Sequence, residues 1–145
     1  MEYYANVPYD IDDRTDGDAQ IVLTALWGDV EVSAAGIVRN AVKAISYEVR
    51  LSEQTVLAAL EKLESLRQIA VDLSSGELLI LGWLEHNYLF EGTISESPQS
   101  VLLAMDLIVS PVIKEYAQRE ANKLDVGYDA AVSANNPNRG DATFI

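Results

Sequence analysis

Apolar residues recur along the middle of this chain in two kinds of spacing. Val38, Val42, Ile45 and Val49 follow one another at helical intervals, and after a corner at Leu51 and Ser52 the same interval returns at Val56, Leu60 and Leu63. Each run gathers its apolar side chains on one face of a helix. Ile69 to Leu73 and Leu78 to Leu81 are compact apolar runs of strand length, separated by Ser74, Ser75 and Gly76, which is the composition of a hairpin turn. Upstream, Asp18 suits the cap of a helix through Ile21, Val22, Leu26 and Trp27 that closes near Gly28. Asp29 to Ala35 connects it to Gly36 to Val38, a short strand able to pair with the hairpin. Downstream, Ser95 to Pro98 opens a helix whose stretch Val101 to Val109 is apolar enough to be buried. Ser110 then caps a further helix with Pro111 at its first position, where the missing N–H costs nothing. Val112, Ile113, Tyr116 and Ala117 are the expected inner face of that helix.

Helix, strand, helix, corner, helix and hairpin follow in the order of a winged helix. The expected class is therefore mostly α with a small β-hairpin (α+β), a winged helix-turn-helix with extra C-terminal helices. The pattern divides the chain into an acidic irregular arm (1–17), the winged-helix domain (18–92), a C-terminal helical pair (93–123) and a flexible tail (124–145) rich in Gly and Asn. In the arm, Tyr3, Tyr4 and Tyr9 are candidate anchors onto the domain. Ser52 suits the cap of the second helix of the motif, with Glu53 at its positive end. Such a helix is usually the one offered to the major groove of DNA.

Charge complicates that expectation. The 145 residues hold 23 acids and 10 bases, a net charge of -13, and each third of the chain is acidic. The average field therefore repels phosphate. The bases available for a local DNA contact are Arg39, Lys43, Arg50, Lys62 and Arg67, with Gln54 as a polar companion; ion pairing with Glu48, Glu53 and Glu64 is their ordinary alternative. On the same second helix, Glu53, Glu61 and Glu64 form an acidic face suited to a basic protein partner. The terminal Phe144 and Ile145, on a flexible stretch behind Asp141, have the form of a docking peptide.

Enzymatic chemistry finds little support. There is no cysteine and a single histidine, His86, so neither a zinc set nor a disulfide framework can be assembled. No phosphate-cradling Gly-rich loop appears, and Asp10, Asp12 and Asp13 do not complete a calcium-loop spacing. No cofactor is expected. Trp27 and Trp83 adjoin apolar positions and read as core, and His86 reads as structural. The N-terminus is acidic where a secretory signal would be basic, and the longest apolar runs are far below membrane-spanning length. A cytoplasmic protein that does not enter the membrane is expected.

Several short segments carry a resemblance. Ala-Gly-Ile-Val at 35 to 38, Val42-Lys43-Ala44-Ile45, Leu51-Ser52-Glu53, the Leu60 to Leu66 region and above all Trp83-Leu84-Glu85-His86-Asn87 resemble the N-terminal winged-helix domain of phage and prophage replication-initiation proteins. The paired segments Ser97 to Val109 and Ser110 to Lys123 resemble that family's continuation. Two positions depart from it: Arg50 stands where similar sequences usually have a glycine in the corner, and Glu85 where they usually have a lysine. The resemblance implies a non-enzymatic initiator or accessory replication protein of a bacterial or phage-infected cell, binding duplex DNA or recruiting replication proteins. Charge points instead to an acidic, protein-binding winged helix or DNA mimic acting on a basic partner. A third expectation is a homodimer through the 101–116 region, with Leu102, Ile108, Ile113 and Tyr116 at its interface.

Overall fold

The computed structural model describes residues 17–89, 97–128 and 131. The chain runs α1 (Gly17–Gly28), β1 (Ile37–Val38), α2 (Ala41–Val49), α3 (Glu53–Ser65), β2 (Ile69–Asp72), β3 (Glu77–Ile80), a π-helical turn (Glu85–Leu89), α4 (Pro98–Asp106) and α5 (Pro111–Lys123). This is a mostly helical α+β fold with one three-stranded antiparallel sheet in the order β1-β3-β2.

Local chemistry sets the corner between α2 and α3. Arg50 closes α2 in the left-handed conformation (φ 60°), its N–H donating to Ser46 O at 2.9 Å, while the Ser46 hydroxyl donates to Leu51 O. The corner is thus made without a glycine, against a left-handed cost of about 1–2 kcal/mol for an L residue. Ser52 then caps α3 by accepting the Thr55 N–H at 3.1 Å, a contact typically worth about 1 kcal/mol. Asp18, expected as the cap of α1, lies instead within its first turn.

The hairpin is shifted slightly from its expected bounds. Ile69 stands opposite Ile80 and Asp72 opposite Glu77, so the turn is Leu73 to Gly76. Gly76, at φ +79°, donates to Asp72 O at 2.8 Å, and its own carbonyl accepts the Ala41 N–H at 2.9 Å, which ties the turn to the start of α2.

β3 is the central strand and is buried on both faces. Val38, Ile69, Leu78 and Ile80 join Val22, Leu26, Ile45, Leu60 and Leu63 in a core with α1, α2 and α3. Ile37, Ala70 and Leu79 belong to a second core with Val101, Met105, Ile113, Ala117 and Ala121 from α4 and α5. Alternation along the strands, period two, sends neighbouring side chains into different cores.

Polar ties hold the second layer. Glu77, only 3% exposed, accepts the Val109 N–H at 2.8 Å and the Ser110 N–H at 2.7 Å. A carboxylate is thereby set at the N-terminus of α5, where unpaired N–H groups and the helix dipole favour negative charge. Glu120 accepts the Gly82 N–H at 3.0 Å, and Arg39 donates to Leu107 O at 2.9 Å.

The C-terminal pair differs from expectation in which side faces inward. α4 stops at Asp106, and Leu103, Leu107 and Val109 are exposed, so Val101 to Val109 is not one buried helix. On α5 the inner stripe is Ile113, Ala117 and Ala121, whereas Val112 and Tyr116 face outward. The inner stripe packs beside Ala70 and Leu79 of the sheet in the second core. Ile113 and Ile108 are therefore spent on the core and cannot form a dimer interface. The apolar pattern also runs past Lys123: Val126 is fully buried in the second core, so the expected tail starts later than 124.

Candidate nucleic-acid interface

α3 turns Val56, Ala59, Leu60 and Leu63 into the core, so the outward side of this helix is fixed by its period: Glu53, Gln54, Leu57, Ala58, Glu61 and Glu64. Acid predominates along it. Near its start, Asp18 of α1 joins Ser52, Gln54, Thr55, Ala58 and Ala59 around a shallow groove of about 340 Å³, which adds a further carboxylate. Glu64 is not free: its Oε2 accepts the Val71 N–H at 3.2 Å on the outer edge of β2.

The six residues expected to make a local DNA patch do not converge. Lys43 and Arg50 are both exposed, but Lys43 lies in the first turn of α2 and Arg50 caps its far end, about 10 Å away along the axis at about 1.5 Å of rise per residue. Neither makes an ion pair among the described residues, nor does Arg67, so the pairing with Glu48, Glu53 and Glu64 is not formed. Lys62 sits about 12 Å farther along α3 than Gln54, at about 1.5 Å of rise per residue. Arg39 stands just before α2, where its guanidinium donates to Leu107 O, the cap residue that follows α4. Arg67, left-handed at φ 60°, lies beyond α3 in a separate groove.

Besides Arg67, that separate groove holds two bases the sequence did not single out. Arg67, Arg119 and Lys123 line it together with Glu64, Glu120, Ile69, Leu81 and Tyr116, in a volume of about 490 Å³. Arg119 is paired with Glu115 at 3.0 Å and lies over the Tyr116 ring, 5.5 Å from its centre. The four-residue step from Arg119 to Lys123 is visible in the sequence as one helix face. Its meeting with Arg67 depends on how α5 packs and is not.

The hairpin contributes no base between Ile69 and Ile80, and its inner surface is covered by α4 and α5. Its exposed part is the turn, with Leu73 and Ser74 outermost. Beneath it, the hydroxyl of Ser110 and then that of Ser74, with the Ser74 and Ser75 N–H groups, hold the Asp72 carboxyl below its ordinary value.

The Trp-Leu-Glu-His-Asn segment closes the other end of the sheet. Trp83 stacks on Trp27 with ring centres 5.3 Å apart, and His86 meets Trp27 edge-on at 5.4 Å. Gly36 (φ +87°) makes room for it: a Cβ there would lie 2.7 Å from the Trp83 Cβ. Both indoles thus act as packing groups and are not presented as stacking platforms for bases. Among the described residues no cluster of three or more His, Cys, Asp or Glu is placed to hold a metal ion, and no helix is long and apolar enough to cross a membrane. Phe144, Ile145, the acidic arm and its tyrosines lie outside the described residues.

No family model, curated protein or solved structure matches this chain.

Proposed function

We propose that this chain is a non-enzymatic winged-helix module of the phage replication-initiator type, working in the cytoplasm of a bacterial or phage-infected cell. It holds duplex DNA locally and recruits replication proteins through its acidic remainder. The observation that carries the reading is the element order α1, β1, α2, α3, β2, β3, with β1 paired to β3 and a capped α3 following α2 across a short corner. In that arrangement α3 is the element offered to the major groove. Arg50 is the exposed base nearest its start, Lys43 is the exposed base of α2 behind it, and Gln54 is the exposed polar side chain in the first turn of α3. They position the module on phosphate, with Arg39 reassigned to holding α4.

A fluorescence-anisotropy titration of the purified chain with a mixed duplex pool at two salt concentrations tests this. Phosphate contacts release counterions, so binding must weaken as salt rises. Lys43→Glu with Arg50→Glu is expected to abolish it without changing the melting temperature, since both side chains are exposed. No binding at low salt would sink the DNA role.

The acidic outer side of α3 favours a second reading, in which Glu53, Glu61 and Glu64 meet a basic, nucleic-acid-handling protein and mimic DNA toward it. Under that reading the same two substitutions leave partner capture intact, whereas Glu53→Lys with Glu61→Lys removes it.

A further inference from the structure

We propose that the groove between the end of α3, the border strand β2 and α5 is the seat of this chain's own acidic N-terminal segment, with Asp10, Asp12 and Asp13 set against Arg67, Arg119 and Lys123. The three bases are exposed and line one groove of about 490 Å³. They are three of only ten bases in a chain with 23 acids. The two carboxylates of the groove are already engaged, Glu64 accepting the Val71 N–H and Glu120 the Gly82 N–H. Glu115 pairs with Arg119 at 3.0 Å, but the two side chains are 67% and 63% exposed, and a pair so open to water is weak and readily exchanged. Ile69, Leu81 and Tyr116 supply an apolar wall between the bases. A segment that complements such a groove carries several negative charges and an apolar or aromatic side chain.

Charge and reach name the occupant. Residues 1–16 hold five acids and one base, with three tyrosines and Ile11 among them, whereas residues 132–145 at the other end hold one acid and one base. Only the first is a complement in charge. α1 starts at Gly17, and Asp18 stands beside Thr55 near the start of α3. Glu64, where the basic groove begins, is about 14 Å farther along α3 than Thr55 at about 1.5 Å of rise per residue. Asp13 and Asp10 precede Gly17 by four and seven residues, which is about 13 and 23 Å of extended chain at about 3.3 Å per residue. The acidic cluster thus comes level with the bases, and Tyr9 with the apolar wall. Exposed ion pairs are individually weak, but a tether this short holds the segment at an effective concentration on the order of millimolar. This inference is independent of whether DNA is bound.

The chain has no cysteine, so Ala5→Cys gives the full chain a single site for a nitroxide label, and paramagnetic broadening of the backbone amides reports which surface the segment meets. At low salt the amides of Arg67, Ile69, Arg119 and Lys123 are expected to lose intensity relative to the same protein with the label reduced. They should regain it at about 1 M salt, where the screening length falls to about 3 Å. Arg67→Glu with Arg119→Glu should remove the broadening; both side chains are exposed, so circular dichroism should match the wild type. Adding Asp10→Lys, Asp12→Lys and Asp13→Lys to that variant should restore the broadening, which a merely damaged groove would not allow. Lys114→Glu, exposed on α5 outside the groove, is the control and should leave it intact. No broadening at the groove, broadening centred instead on Lys43 and Arg50, or broadening that survives the reversal of Arg67 and Arg119 overturns the proposal. Equal broadening of an unlabelled chain by a labelled second copy overturns it as well, since the segment would then come from another molecule.

Discussion

The two sides of the small sheet are closed by different means. Toward α1, α2 and α3 the contact is made by large aliphatic side chains: Leu23, Leu26, Ile45, Leu60 and Leu63 against Ile69, Leu78 and Ile80, all fully or almost fully buried. Toward α4 and α5 alanines take a larger share, Ala70, Ala117 and Ala121 standing among Leu79, Val101, Met105, Ile108 and Ile113, and the contact is supplemented by the carboxylates of Glu77 and Glu120 and the guanidinium of Arg39. The first side resembles an ordinary core, stabilised in proportion to the area it removes from water. The second is a thin layer oriented by charge-assisted hydrogen bonds, which are directional and fix register more than they add bulk stability. One side makes the domain, and the other attaches a layer to it.

The largest effect should come from cutting into the first side. Leu60→Ala leaves a cavity among α1, α3 and the sheet and is expected to destabilise the whole chain by about 2–5 kcal/mol. Urea unfolding followed by tryptophan fluorescence should show one earlier transition. Two separated transitions would mean that the layers do not unfold together.

A smaller and more selective loss is expected from Glu77→Ala. It strips the acceptor from the Val109 and Ser110 N–H groups, the second of them buried, at about 1–3 kcal/mol for each donor left unpaired. Hydrogen exchange should rise across α4 and α5 while α1 and α3 keep their protection. Glu77→Gln, which retains one acceptor oxygen, should fall between the two. Equal loss of protection everywhere would erase the distinction drawn between the two sides.

Asp72 gives the smallest effect and the one with a pH signature. Its folded pKa is lowered from the ordinary 3.8 by Ser110, Ser74 and the Ser74 and Ser75 N–H groups. A depressed carboxyl stabilises the fold fully above its unfolded pKa, and that contribution is lost as pH falls through the folded value. Wild type should therefore exceed Asp72→Asn in urea midpoint at pH 7, and the gap should close on acidification below about pH 4. A gap that persists in acid would mean that the carboxyl acts through shape and not charge.

Much of the first side is legible in the sequence because its signals are local. The spacing of Val42, Ile45 and Val49, the cap at Ser52 and the turn at Ser74 to Gly76 each act within a few residues, and the structure places helix, corner, helix and hairpin where they fall, with the strands shifted slightly. The second side is less legible because its choices are made across the fold. Val112 and Tyr116 form as good an apolar stripe as Ile113 and Ala117, and what decides between them is the packing of α5 on the sheet, which buries Ile113, Ala117 and Ala121 with Ala70 and Leu79 and leaves Val112 and Tyr116 exposed. The candidate site divides in the same way. Arg39 looks like any base beside α2, but its partner is a carbonyl 68 residues away. Arg67 joins Arg119 and Lys123 through the packing of α5 alone.

The bond from the Val71 N–H to Glu64 bears on how the protein survives at high concentration. A sheet ordered β1-β3-β2 has two open borders, and unpaired strand borders invite chains to add to one another and grow into fibrils. One border here is a strand of two residues, too short to template a neighbour. The other is occupied at Val71 by a carboxylate from α3, which takes the N–H that an incoming strand would need and sets a negative charge in its path. Removing that carboxylate would leave the domain folded and make its solutions prone to β-aggregation.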